Sequence, residues 1–253
     1  MPIKLMSNSN LSSRDAAVIW HPFTQHQIEP ASIPIASGKG AHLFGTDGKR
    51  YIDAISSWWV NTHGHGHPYL AQKIYEQALQ LEQVIFAGFT HEPAVRLSER
   101  LLAHLPANFE RVFFSDNGST AVEVAIKMAL QFFHNQGNTK RRKILAFADA
   151  YHGDTFGAMA SSGITFFTEA FKGSLLEVVR IPVPTNGNEE ESLQALQNLV
   201  STVPFLGYEY CLMKLAIGLI SEMILIRIFC HWGTATLKAK RVNQSLTFSL
   251  KVL

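Results

Sequence analysis

Between Arg111 and Val200 short apolar runs alternate with longer amphipathic ones, and no other feature constrains the fold as strongly. Arg111–Ser115, Lys143–Phe147 and Glu177–Pro182 have the length and the aromatic or β-branched content of strands. Ala121–Phe133 and Glu189–Val200 have the periodicity of helices. Parallel strands need long crossovers, and helices serve as those crossovers on the faces of the sheet. The expected class is therefore α/β, with a mostly parallel sheet. At roughly 150 residues per domain, a chain of 253 residues has room for more than one.

Upstream the pattern differs. Residues 34–56 read as short strands around turns, with Asp47-Gly48 closing a hairpin between His42-Leu43-Phe44 and Tyr51-Ile52. Asn61 to His67 is a loop, and Pro68 suits the first turn of a helix carrying Leu70, Ile74, Ala78, Leu81 and Ile85 on one face. A second helix opens at Pro93, with Leu97, Leu101 and Leu105 inward. The expected organisation is an N-terminal segment over 1–68, a large-domain segment over 69–200 and a separate tail over 201–253.

Composition narrows the function classes. The formal net charge is +2, from 22 basic and 20 acidic residues, so no broad basic surface is available for nucleic acid. The only two cysteines, Cys211 and Cys230, cannot make a disulfide framework. With no apolar run near the N-terminus, a cytoplasmic location is expected. His63, His65 and His67 have ligand chemistry, but glycine spacers in a loop suit a tight turn better than a metal centre, so no metal is expected.

Three stretches carry chemistry. In Phe113 to Glu123 a strand ends, a small polar turn follows and a helix begins. Thr120 and Glu123 stand at capping-box spacing, and Gly118 lets the backbone approach a ligand. The amides of Ser119, Thr120 and Ala121 are expected to face outward at the positive end of the helix dipole, a seat for a phosphate. The same residues also suit an ordinary capped helix. Tyr151-His152-Gly153 follows the strand Lys143–Phe147, at the carboxyl end where α/β sheets place ligands. Either ring can stack on a planar cofactor, or be a buried aromatic at a strand end. Trp58 and Trp59 would point to opposite sides of an extended chain, so both bury only between two surfaces. A lipophilic substrate wall, a subunit interface and plain core packing are all open.

Together the stretches are more specific than any one. Gly118-Ser119-Thr120-Ala121-Val122-Glu123-Val124-Ala125-Ile126-Lys127 resembles the phosphate-cup helix of class III pyridoxal-phosphate-dependent aminotransferases, and Tyr151-His152-Gly153 resembles their cofactor-stacking segment. Trp20-His21-Pro22-Phe23-Thr24 and Ser56-Ser57-Trp58-Trp59 resemble the branch of that class serving biotin biosynthesis. The resemblance spans about Arg14 to Val200. It implies a fold-type-I large domain, present here in part, with an N-terminal small-domain segment, pyridoxal 5'-phosphate as cofactor, and a homodimer with active sites at the subunit interface. It implies S-adenosylmethionine and 8-amino-7-oxononanoate as small-molecule substrates. Carried over residue by residue, Gly118, Ser119, Thr120 and Tyr151 bind cofactor, and Trp58, Trp59, Phe23 and Tyr151 bind substrate. Phe23 stands where many relatives carry a tyrosine.

Two family parts have no match in the chain: the Schiff-base lysine and the aspartate beside the pyridine nitrogen. No aspartate follows Asp154, and Phe171-Lys172-Gly173 lies too early to be the lysine segment. No catalytic residue is therefore assigned, and a non-catalytic fragment or pseudoenzyme is the alternative reading. Residues 201–253 carry six basic residues against Glu209 and Glu222. In that tail Cys211–Trp232 is apolar, yet Lys214, Glu222 and Arg227 interrupt it, and a charge at mid-span costs roughly 2.5–3.5 kcal/mol. No membrane span is expected. A reading-frame change or mis-spliced end near residue 200 fits the abrupt loss of the family pattern.

Overall fold

The structure is a computed structural model. It describes residues 11–107, 109–140, 142–163, 166–185 and 187–202, and beyond these only the backbone of four strands between residues 210 and 252. The chain divides into two compact units, Met1–His91 and Glu92–Leu253.

In the first unit, helix α1 (Leu11–Val18) precedes an antiparallel meander of β1 (Ile35–Lys39), β2 (His42–Gly45) and β3 (Arg50–Ile52). The β2–β3 hairpin closes at Asp47-Gly48 as expected, with Gly48 at φ 80° and Phe44 opposite Arg50. A helical turn, α2 (Ser56–Trp59), and a regular helix, α3 (Pro68–Gln80), follow. Pro68 opens α3 as expected, but the helix ends sooner than its periodicity implied. Leu81 turns extended, with its amide on the Gln77 carbonyl and its own carbonyl accepting from the Gln77 side chain at 2.8 Å. Ile85 therefore lies outside the helix. None of the residues of α3 is buried.

The second unit carries the α/β pattern. Helix α4 (Glu92–Leu102) leads to strand β4 (Phe113–Phe114) and the long helix α5 (Gly118–Asn135). Then come β5 (Lys143–Phe147), α6 (Phe156–Ser161), α7 (Phe166–Glu169), β6 (Val178–Ile181) and α8 (Glu189–Thr202). The strands expected at Arg111–Ser115 and Glu177–Pro182 are shorter than their apolar runs; the one at Lys143–Phe147 keeps its expected limits. Leu105 lies outside α4, just before Pro106, which disfavours helix in the residue ahead of it.

The central sheet is parallel. Strand β5 pairs with β6, Ile144 opposite Val178 and Phe147 opposite Ile181. It pairs on its other side with β7 (Tyr210–Leu212). Strand β4 pairs with β8 (Met223–Ile224), and β9 (Ala235–Val242) with β10 (Ser245–Val252) as an antiparallel ribbon. The other features read in the tail, including the apolar Cys211–Trp232 stretch and the change of frame, lie outside the described residues apart from these strand backbones. Among the described residues no helix is long and apolar enough to cross a membrane.

The core forms where α5 and α6 meet the sheet. Ala121, Val122, Ala125, Ile126, Ala129 and Phe133 recur at near-helical spacing and are buried. Ala121, Val122 and Ile126 pack with Ile144 and Ala158, and half-buried Leu130 and Val178 close over them. On α6 the small residues Gly157, Ala158, Ala160 and Ser161 are buried, as is Met159, and their size lets α6 lie close to α5. The Arg180 guanidinium donates to the carbonyls of Ala160 and Ser162 at 2.5 and 2.8 Å, capping the C-terminal end of α6 with positive charge.

Candidate active site

The N-terminus of α5 is set by Asn117. Its side chain accepts from the Thr120 amide at 3.0 Å, and the Thr120 hydroxyl accepts from the Asn117 amide at 3.1 Å. The capping box is thus Asn117–Thr120, one turn earlier than the expected Thr120–Glu123. Thr120 and Ala121 are not among the outward amides, contrary to expectation. Thr120 donates to Asn117 Oδ1 and Ala121 to the Asn117 carbonyl at 3.1 Å, so neither is available. The amides of Gly118 and Ser119, in the first two helical positions, have no acceptor among the described residues, as helix geometry requires. A Cβ at Gly118 would meet nothing within 4 Å, so the approach to these amides is open. Thr120 hydroxyl also bonds Ser115 Oγ at 2.7 Å, so Thr120 shapes the turn rather than facing outward.

The Tyr151–Thr155 loop lies directly against this helix start. Ser119 Oγ accepts from the Asp154 amide at 3.2 Å, and the Ser119 carbonyl accepts from Thr155 Oγ1 at 3.4 Å. Gly153 is obligatory here: its φ is 123°, and a Cβ would overlap Ser119 Oγ and stand 2.9 Å from Ser119 Cα. Glu123, freed from capping, accepts the amides of Gly157 at 2.5 Å and Ala158 at 3.2 Å. This carboxylate at the N-terminus of α6 clasps the two helices together. The start of α5 and the Tyr151 loop are therefore one structure, though 35 residues separate Ser119 from Asp154.

Tyr151 is 69% exposed, with its hydroxyl donating to Asp154 Oδ2 at 2.9 Å. Desolvation, then this hydrogen bond, raises its pKa above the usual phenol range, so it stays protonated. His152 points the other way. Its amide donates to Ser162 Oγ at 2.9 Å, its Nδ1 is buried without a partner among the described residues, and burial lowers its pKa. Of the two rings, Tyr151 is the one free to meet a ligand.

Phe23, Trp58 and Trp59 lie in the first unit. Phe23 and Trp58 meet edge to face with centroids 5.3 Å apart. The extended geometry expected for the tryptophans is corrected: Ser56, Ser57, Trp58 and Trp59 all have positive φ, between 47° and 70°. Four successive L-residues turn left-handed, at about 1–2 kcal/mol each. Both indoles are exposed, at 56% and 65%, so plain core packing is also corrected. Single-sequence reasoning missed the network that holds this turn. Ser57 Oγ donates to Asp53 Oδ2 at 2.8 Å, and His65 Nε2 bonds the same oxygen at 2.8 Å. The Ser57 amide and hydroxyl, then His65, hold the Asp53 carboxyl down at about 2. His65, one of the three loop histidines, thus has a carboxylate partner, while His63 and His67 meet edge to face at 6.2 Å.

Residues 23–205 match the class III aminotransferase family, and the chain belongs to that family. It is 51% identical over 177 residues to the adenosylmethionine-8-amino-7-oxononanoate aminotransferase of Synechococcus elongatus, covering 70% of this chain and 42% of that one. The Nitratidesulfovibrio vulgaris protein of that name is 41% identical over 187 residues, 72% of this chain and 34% of the relative. Among solved structures, the one of that name from Methanocaldococcus jannaschii matches with a TM-score of 0.70 and 34% identity, covering 76% of this chain and 43% of that chain. The omega transaminase of Pseudomonas jessenii, solved in complex with PMP, shares the fold at 22% identity and a TM-score of 0.71, over 80% of this chain and 48% of that one. The fold is thus that of the fold-type-I transferases, and the chain spans less than half the length of these relatives.

Proposed function

We propose that this chain supplies the phosphate seat and the substrate wall of a pyridoxal-phosphate-dependent aminotransferase of biotin biosynthesis. The reaction would move an amino group from S-adenosylmethionine to 8-amino-7-oxononanoate, giving 7,8-diaminononanoate. The observation that carries the reading is the pair of unpartnered amides, Gly118 and Ser119, at the start of an 18-residue helix. This is a donor set that fits a phosphate dianion. When bound, pyridoxal phosphate would supply the electron sink for moving the amino group.

The chain's own residues would act around it. Gly118 and Ser119 amides and the Ser119 hydroxyl would donate to the phosphate. The exposed Tyr151 ring would lie against the cofactor or substrate, its protonated hydroxyl held by Asp154. In the other unit, Trp58, Trp59 and Phe23 would line the aliphatic chain of the substrate. Phe23 offers packing and no hydroxyl. The lysine and aspartate segments of the family are not matched in this chain, so proton transfer at the reacting carbon is assigned to none of its residues. The exposed Leu70 and Ile74, one turn apart on one face of α3, support a homodimer.

A chimera tests the reading: residues 14–200 of this chain joined to the remaining length of the Synechococcus relative. The expected result is 7,8-diaminononanoate formation with S-adenosylmethionine as donor, seen by mass spectrometry, and its loss with Trp58→Ala. A folded chimera that takes up pyridoxal phosphate, seen as a borohydride-reducible adduct on one lysine, yet makes no product would overturn it.

A further inference from the structure

The left-handed turn bearing the two indoles is held from outside itself. Asp53 is fixed first: its amide donates to the Ala41 carbonyl at 2.9 Å, tying it to the meander. His65 is fixed independently. Its amide and carbonyl pair with Gly40 at 2.8 and 3.0 Å, and its ring lies so close to Gly38 that a Cβ there would stand 2.7 Å from His65 Cβ. The His65 side chain is 15% exposed and that of Asp53 6%. From these two anchors the network reaches the turn. Asp53 Oδ2 takes both the Ser57 hydroxyl and His65 Nε2. With Nε2 donating, His65 Nδ1 is left to accept the Asn61 side-chain amide at 3.3 Å. The Asn61 backbone amide closes the turn on the Ser56 carbonyl at 3.0 Å.

A left-handed run of L-residues persists only where its surroundings over-determine it, and such runs cluster at ligand sites. We propose that Asp53 and His65 are positioning residues for the substrate wall, holding Ser56–Trp59 in the left-handed turn that directs Trp58 and Trp59 outward. This rests on the reading of the two indoles as that wall. Neither residue touches the substrate. Without the clamp the turn relaxes to right-handed or extended backbone, and the indoles leave their places.

The test is fluorine NMR of the full chain labelled with fluorotryptophan, resonances assigned by single Trp→Phe changes, with and without 8-amino-7-oxononanoate. Asp53→Asn is expected to shift or broaden the Trp58 and Trp59 resonances, leave Trp20 in place, and weaken ligand binding about tenfold, the size of effect that loss of one net hydrogen bond has. Adding Ser56→Gly, which takes positive φ without steric cost, is expected to restore both resonances and return the affinity to within about twofold. Resonances unmoved by Asp53→Asn, or moved but not restored by Ser56→Gly, would overturn the proposal. If Asp53→Asn also moves Trp20, His65→Gln decides in its place, with unmoved indoles again the overturning result. If the ligand perturbs neither indole in the unaltered chain, the substrate reading falls, while the ligand-free spectra still decide whether the clamp exists.

Discussion

Gly153 shows how little room the candidate site leaves. At φ 123°, with Ser119 against its missing side chain, Gly153→Ala combines a strained backbone with an overlap. It is expected to cost roughly 1–3 kcal/mol in urea unfolding and to displace the Ser119 hydroxyl. Asp53 gives a prediction of a different kind. Its folded pKa of about 2 lies below its ordinary 3.8, so its contribution is complete above about pH 4 and disappears as pH falls towards 2. Thermal unfolding followed by tryptophan fluorescence should show that acid limb, and Asp53→Asn should lower stability at neutral pH and remove Asp53's share of the limb. A pH profile identical in the two proteins would contradict this. The contacts of neither residue were legible in the sequence. Gly153 was readable as part of a motif, but its near neighbour in space, Ser119, is 34 positions away, and His65, twelve positions on, reaches Asp53 only after the meander forms.

At the scale of elements, α5 was the most legible part of the chain, because its apolar spacing and its polar start are both local signals. The error at its N-terminus was local too: Thr120 and Glu123 have capping-box spacing, yet Asn117, one turn earlier, caps better and leaves Glu123 for α6. Glu123→Ala should therefore cost about 1.5–3 kcal/mol, as loss of hydrogen bonds to a charged acceptor does, and raise amide exchange over Phe156–Ser161. Asn117→Ala should cost about 0.5–2 kcal/mol and raise exchange over the first turn of α5 instead. Identical exchange patterns for the two variants would contradict the separate roles. The parallel pairing of β5 and β6 was readable from the strand–helix alternation. The left-handed α2 was not, since Ser-Ser-Trp-Trp has no glycine to announce positive φ, and the bonds that hold it run to Asp53, Asn61 and, through Asp53, to His65.

At the scale of the whole molecule, the two units differ in how much apolar surface they bury. The second has a packed core between α5, α6 and the sheet. In the first, α3 buries none of its residues, and Ile74 and Leu79 are 69% and 73% exposed. Surface of this kind calls for a partner, and a second copy is the proposed one. Sedimentation is expected to show self-association of the wild-type chain, weakened at least tenfold by Leu70→Lys with Ile74→Lys, which place two charges one turn apart on the same face of α3. The family itself was legible because Gly118 to Lys127 and Tyr151 to Gly153 carry specific residue types in short local stretches. The central claim is the proposed one, that the phosphate of pyridoxal phosphate sits on the start of α5. The direct measurement is a titration of the full chain with pyridoxamine phosphate, which needs no lysine adduct, followed through the backbone amide resonances. Saturable downfield shifts at Gly118 and Ser119, absent with dephosphorylated pyridoxamine and smaller in Gly153→Ala, are the result expected. Saturable binding that leaves both amides unmoved, or no binding by a folded chain, would contradict it.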